Sequence, residues 1–370
     1  MPIETPAPTT TATGIPTARN VDHFAYTVPD LDQAVGFFVD VLGAELLYTL
    51  GPVEDRDTDW MARQLAVHPR ASTRIALLRF GPVTNLELFQ YTAPGQRTDI
   101  PRAVDVGGHR LGVDVTDLDA AVAYLREQPG VRILGEPQHT AAGPARGNRW
   151  IWLTTPWGLQ MELRQVAGTL PYEADTEARI YRPDARPDAL PDGGGIPGSL
   201  GVGHVGYTVP DLEQAVAYFT GPMGGELVYR EQFAADAGFA ARQLGVDQPI
   251  ARDTAVIRLG PVTNLELSQY TAADQRTELP RNSDVGGHHL AFFVDDVESA
   301  AAWLRDVPGT EVLGEPQLIE DGGPIHGDRW VYFRGPWGVQ LEVLNMPDGM
   351  PYEQGTTARR YGPSPAWTNR

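Results

Sequence analysis

Residues 204–216 read HVGYTVPDLEQAV, and this stretch decides the fold. Its first half alternates in the manner of a half-buried strand, and Asp211 then stands as an N-cap before the helical apolar period opened by Leu212. The same pattern recurs as HFAYTVPDLDQAV at 23–35, RLGVDVTDLDAAV at 110–122 and HLAFFVDDVESAA at 289–301, always with Val five and Asp seven residues after the first. Each is followed by three more strand candidates, such as ELLYTL, TRIALLRF and NLELFQY after the first. The pattern predicts an α+β protein of four βαβββ modules paired into two curled mixed sheets.

A longer repeat encloses the short one. GPVTNLEL stands at 81–88 and again, unchanged, at 260–267, and ARQL, QRT, DVGGH, LGEPQ and PWG recur in the same order, offset by 179 or 180 residues. The chain is a tandem duplication. Residues 182–200, rich in Pro, Gly and Asp, read as a linker. Two domains are therefore expected, at 21–181 and 201–362, with a disordered Thr/Pro/Ala-rich arm at 1–20 and a short tail at 363–370.

Composition narrows the chemistry. At 42% hydrophobic and 21% charged residues, the 370-residue chain suits a soluble globular protein. It has no cysteine, so disulfides, thiolate nucleophiles and sulfur-ligated zinc are excluded, and any metal must be held by His, Asp or Glu. A formal net charge of −19 opposes binding to phosphate backbones and anionic membranes. With neither a bilayer-spanning apolar run nor the order of a signal peptide, a cytoplasmic protein is expected.

Alternate residues of a strand share a face, so His204 and His289 open two equivalent strands on the side that would line a cup. Final strands of the same modules present Glu266 and Tyr270 in one case and Glu342 in the other. If the second copy closes its own cup, His204, His289, Glu266 and Glu342 converge on the floor. Two imidazoles with carboxylates form a ligand set for one divalent ion per chain: Fe, Mn, Ni, Co or Zn. In the first copy, His23, Glu87 and Glu162 occupy the matching positions but Arg110 replaces the second histidine. A guanidinium cannot ligate a metal. Arg110 is expected instead to sit between Glu87 and Glu162, and His109, one residue out of register, to face the opposite side.

These residues also carry a family likeness. The H-x4-V-x-D-L motif at His23 and His204, its variant at His289, and PWG-x3-E ending at Glu162 and Glu342 resemble the vicinal oxygen chelate superfamily of glyoxalase I, methylmalonyl-CoA epimerase, extradiol dioxygenases and bleomycin-resistance proteins. The resemblance spans nearly all of 20–345. It implies metal ligation by His204, His289 and Glu342, with Glu266 as fourth ligand or general base.

Chelation of a ketone and a neighbouring oxygen acidifies the carbon between them, so the expected reaction is epimerisation alpha to the ketone of a small polar substrate. The tandem four-module organisation resembles, within the family, epimerases of cyclitol ketones in natural-product biosynthesis. Glu266 is the expected base, with His326 or Tyr270 returning the proton. An Fe(II) ring-cleaving dioxygenase is the alternative, although Gly335 before Pro336 departs from the pattern of those enzymes. A metal-free binding or resistance protein is the third reading, and either a monomer or a homodimer is compatible with the repeat.

Overall fold

In the computed structural model, residues 14–183 and 195–369 are described. Most of the expected arm and of the linker lies outside these residues; the arm's last residues belong to the first strand.

Module 1 comprises β1 (Ala18–Thr27), α1 (Leu31–Gly36), β2 (Glu45–Glu54), α2 (Trp60–Leu65), β3 (Ser72–Arg79) and β4 (Asn85–Thr92). Module 2 has β5 (His109–Val115), α3 (Leu118–Arg126), β6 (Arg132–His139), β7 (Arg149–Thr154) and β8 (Gln160–Gln165). Module 3 repeats the first as β9 (Ser199–Thr208), α4 (Leu212–Thr220), β10 (Glu226–Ala235), α5 (Ala237–Leu244), β11 (Ile250–Arg258) and β12 (Asn264–Thr271). Module 4 repeats the second as β13 (His288–Val294), α6 (Val297–Arg305), two short strands β14 (Glu311–Val312) and β15 (Gln317–Leu318), β16 (Arg329–Arg334) and β17 (Gln340–Asn345). The caps work as their sequence suggests. Side chains of Asp30, Asp117, Asp211 and Asp296 each accept a backbone N–H three residues on.

The modules do not pair as the duplication suggests. One nine-stranded sheet runs β14-β16-β17-β13-β1-β4-β3-β2, with β15 beside β16, and so joins module 4 to module 1. The eight-stranded sheet, β10-β11-β12-β9-β5-β8-β7-β6, joins module 3 to module 2. At each centre a first strand meets a first strand antiparallel, β1 with β13 and β5 with β9. Each half of the sequence therefore contributes to both sheets, and neither closes a cup alone.

Crossing segments at 93–108 and 272–287 carry the chain from one sheet to the other and clasp in passing. Buried Asp284 receives the guanidinium of Arg281 in its own segment and, at 2.9 Å, that of Arg97 in the other. Asp105 receives Arg102 and Arg276 in the same way. Above them a ring stack, Tyr26, His109, His288 and Tyr207, joins the two sheets with centroid separations of 4.7, 4.9 and 4.7 Å. His109 thus faces away from the cups, as its register requires.

One core fills the space between the sheets: Phe24 and Tyr26 of β1, Leu111 of β5, Val205 of β9 and Phe292 of β13 pack with the apolar faces of α1, α3, α4 and α6. That leaves the other face of each sheet to form a cup.

Candidate metal centre

Four neighbouring central strands of the nine-stranded sheet, β17, β13, β1 and β4, each bring one polar residue to the cup: Glu342, His289, His23 and Glu87. Register puts Glu87 beside Ala25 and Glu342 beside Ala291, one step along from the two histidines. Nε2 of His23 lies 3.3 Å from Nε2 of His289, 3.2 Å from Glu87 Oε2 and 3.5 Å from Glu342 Oε2. Nε2 of His289 lies 3.6 and 3.4 Å from the same two oxygens. Four donors about 2.1 Å from a common centre stand about 3.4 Å apart in a tetrahedron, so the separations fit a first-row divalent ion.

Surrounding groups fix the orientation of the ligands. Nδ1 of His23 is 3.1 Å from Asp22 Oδ1, and Nδ1 of His289 is 3.3 Å from Asn282 Oδ1. Each ring can donate outward through Nδ1 and turn an Nε2 lone pair into the cluster, the usual support of a metal-bound imidazole. Arg360, 3.0 Å from Asp22, holds that carboxylate in turn. Charges in the cluster are strongly linked. Burial opposes a charge on His23, yet Glu87, Asp22 and Glu342 hold its pKa well above the ordinary imidazole value. Burial likewise pushes Glu87 up, but His23 and His289 outweigh it and bring the carboxyl down to about 2. Glu342 Oε2 accepts no hydrogen bond.

A cavity of about 230 Å³ opens onto the cluster, walled by Ile75, Phe89, Trp330 and Leu344 and carrying Asp328 and Tyr332. Tyr332 Oη is 3.3 Å from His289 Nε2. Asp328 is 4% exposed and its Oδ1 has no partner. At the matching place in the other cup, Asn148 Oδ1 accepts the N–H of Ala167, but Pro347 stands opposite Asp328 and has no N–H to give. Burial pushes the Asp328 carboxyl well up, and Glu342, Asp22 and Glu87 add to the effect.

The eight-stranded sheet repeats the order β12, β9, β5, β8 with Glu266, His204, Arg110 and Glu162. Here Arg110 pairs with Glu266 and lies 3.6 Å from Glu162. The expected convergence of His204, His289, Glu266 and Glu342 therefore does not occur, because β9 pairs with β5 and β13 with β1. Arg110 accordingly bridges Glu162 and Glu266, not Glu87. His204 lies flat on the sheet: a Cβ on Gly112 would be 2.0 Å from its ring. Ala291 occupies that position in the other cup. Neither ring nitrogen of His204 makes a hydrogen bond, Nε2 lying 3.7 Å from Glu266 and 3.8 Å from Glu162, and burial brings its pKa down to about 4.

The expected acid and base are also displaced. Glu266 and Tyr270 belong to the Arg110 sheet, and His326 is exposed, accepting the Gly322 N–H away from the cavity. Sequence reasoning did not select Asp22, Asn282, Asp328 or Tyr332. His23 and Glu87 carry the same motif as His204 and Glu266, and only a cup closed within the second copy would leave them out of the ligand set. Trp157 and Trp337 pack on helix residues, whereas Trp150, Trp152 and Trp330 line cavities.

Paired βαβββ modules cupping a His/Glu cluster define a known class. Residues 20–163 and 203–326 both match the Glyoxalase/Bleomycin resistance protein/Dioxygenase superfamily, and the chain belongs to it. It is 56% identical over 174 residues, 47% of this chain and 94% of the relative, to a 2-epi-5-epi-valiolone epimerase of Actinomyces sp. It is 29% identical over 126 residues, 33% of this chain and 82% of the relative, to an ethylmalonyl-CoA/methylmalonyl-CoA epimerase of Cereibacter sphaeroides. Glyoxalase I from Zea mays has the same fold, with a TM-score of 0.54 at 17% identity over 89% of this chain and 92% of that one. Both curated relatives are epimerases, and this chain is an enzyme of the same isomerase class. Among the described residues, no helix is long and apolar enough to cross a membrane.

Proposed function

We propose that the chain epimerises a carbon alpha to a ketone in a small cyclitol of the 2-epi-5-epi-valiolone kind, using one divalent ion, Fe, Mn, Ni, Co or Zn, held by His23, Glu87, His289 and Glu342. The observation that carries the reading is the convergence of these four side chains from four adjacent strands. Likeness to the Actinomyces epimerase supplies the substrate class. An ion bound there supplies Lewis-acid polarisation of the substrate carbonyl, which acidifies the neighbouring C–H.

The chain's own residues supply the proton transfers. Glu342 borders the cavity beside the ion, and its carboxylate would leave the ion to take the proton. Asp328 borders the same cavity with its carboxyl pushed towards the protonated form, which suits return of a proton to the carbon. Apolar walls limit access of water, and a cavity below the roughly 300 Å³ of ordinary drug-sized sites selects a small ring.

The test is deuterium exchange. Metal-loaded protein in deuterated water should wash deuterium into the position alpha to the ketone of 2-epi-5-epi-valiolone, and Glu342→Gln should stop it. Absence of exchange with every first-row ion overturns the reading.

A further inference from the structure

The cup around Arg110 differs from its twin along the walls as well as at its floor. Sheet register matches Leu50, Thr73, Ile75, Phe89 and Leu344 of the metal cup to Glu231, Arg252, Thr254, Ser268 and Arg164 of the other. A site that had only lost its metal would keep its apolar walls or fill in. This one instead buries three arginines around a cavity of about 960 Å³, some four times the 230 Å³ of its twin.

The polar groups point to a ligand and limit its charge. Arg110 and Arg252, 3% and 9% exposed, both line the cavity, and neither Nε–H makes a hydrogen bond, although that of Arg110 lies 3.6 Å from Glu162. Buried donors are rarely left in this state, and both suit a ligand with oxygens to offer. Yet the positive charges are already matched. Arg110 is paired with Glu266, Arg252 lies 3.3 Å from Glu231, and Arg164 lies 2.9 Å from Asp114. With each guanidinium set against a carboxylate, no surplus positive charge favours a phosphate or carboxylate ligand. Such arginine and carboxylate pairs present donors and acceptors side by side, matching vicinal hydroxyls, which are both at once. Trp150 and Phe233 add flat apolar surfaces to the same wall.

We propose that the Arg110 cup is a metal-independent binding site for a neutral polyhydroxylated ring of the sugar or cyclitol class. Nothing in this inference depends on the reaction assigned to the other cup. Trp150 and Trp152 line the cavity and provide the signal.

The experiment is titration of the full chain with myo-inositol, D-glucose and inorganic phosphate, followed by tryptophan fluorescence and calorimetry. Saturable binding of at least one polyol at millimolar concentration or below is expected, with phosphate inert. The double variant Glu231→Leu with Arg252→Thr removes both partners of one ion pair in favour of the residues the twin cup already uses. It should keep its melting temperature and weaken the polyol at least about tenfold, or 1.4 kcal/mol. His23→Ala, which removes a ligand of the other cup, should bind the polyol as before. The proposal is overturned if neither polyol binds, if phosphate alone binds, if binding survives the double variant, or if His23→Ala abolishes it. Should the double variant fail to fold, Trp150→Ala takes its place, with the same tenfold loss expected.

Discussion

The two cups have the same strands in the same order and differ most tellingly at one position. Where His289 stands over Ala25 in one, Arg110 stands over Gly206 in the other. That change carries others with it. Gly206 and Gly112, in place of Ala25 and Ala291, let Arg110 and His204 lie against the sheet, since a Cβ would meet the arginine side chain at 2.9 Å and the imidazole at 2.0 Å. In the metal cup the alanine methyls hold the imidazoles up, and their Nε2 atoms meet. A fixed guanidinium thus stands where the other cup has an imidazole, and the walls around it are polar.

The contrast can be broken most sharply at the carboxylates. Glu342→Gln should lower kcat by on the order of 10²–10⁴, the usual worth of a positioned base. Glu162→Gln, its counterpart, should leave turnover near that of the unaltered protein; equal losses in steady-state assays would mean that both cups react. Next in size is the support of His23. Asp22→Asn should weaken metal binding by roughly 10–100-fold, as loss of an orienting partner usually does, measured by competition with a chromophoric chelator. Arg110→His restores the ligand types of the twin cup, and metal titration should then reveal a weaker second site. Failure to gain one would assign the block to Arg164, 3.9 Å from Glu266, as well as to Arg110.

A separate contrast, outside both cups, concerns acid stability. Burial lowers His109 to about 4 and His288 to about 3 in the stack between the sheets, against about 6.5 for an exposed imidazole. The unfolded chain binds more protons in that window, so stability is full above about pH 6.5 and falls as the pH drops towards 4, by on the order of several kcal/mol. Denaturant unfolding as a function of pH should reveal this slope, and His109→Phe should flatten it.

Much of this was legible in the sequence. Repetition of the H/R-x4-V-x-D pattern gave the four modules, their helix caps and the cup-facing residue of each first strand. Substitution of Arg110 marked one cup as unlike the other, and the register of His109 was right. What could not be read was the pairing. The first strands have the same hydrophobic pattern, so β1 is as compatible with β5 as with β13. The choice is made by the crossing segments, where Asp105 and Asp284 each accept an arginine from both copies. Asp328 escaped notice for a related reason, since its missing donor becomes visible only when Pro347 is seen opposite it.

What decides between the two arrangements is whether a metal is held between the copies, by His23 with His289, or within the second copy, by His204 with His289. Elemental analysis of purified His23→Ala and His204→Ala, beside the unaltered protein, tests it directly. About one ion per chain is expected in the unaltered protein and in His204→Ala, and none in His23→Ala. Metal retained by His23→Ala and lost from His204→Ala would contradict it.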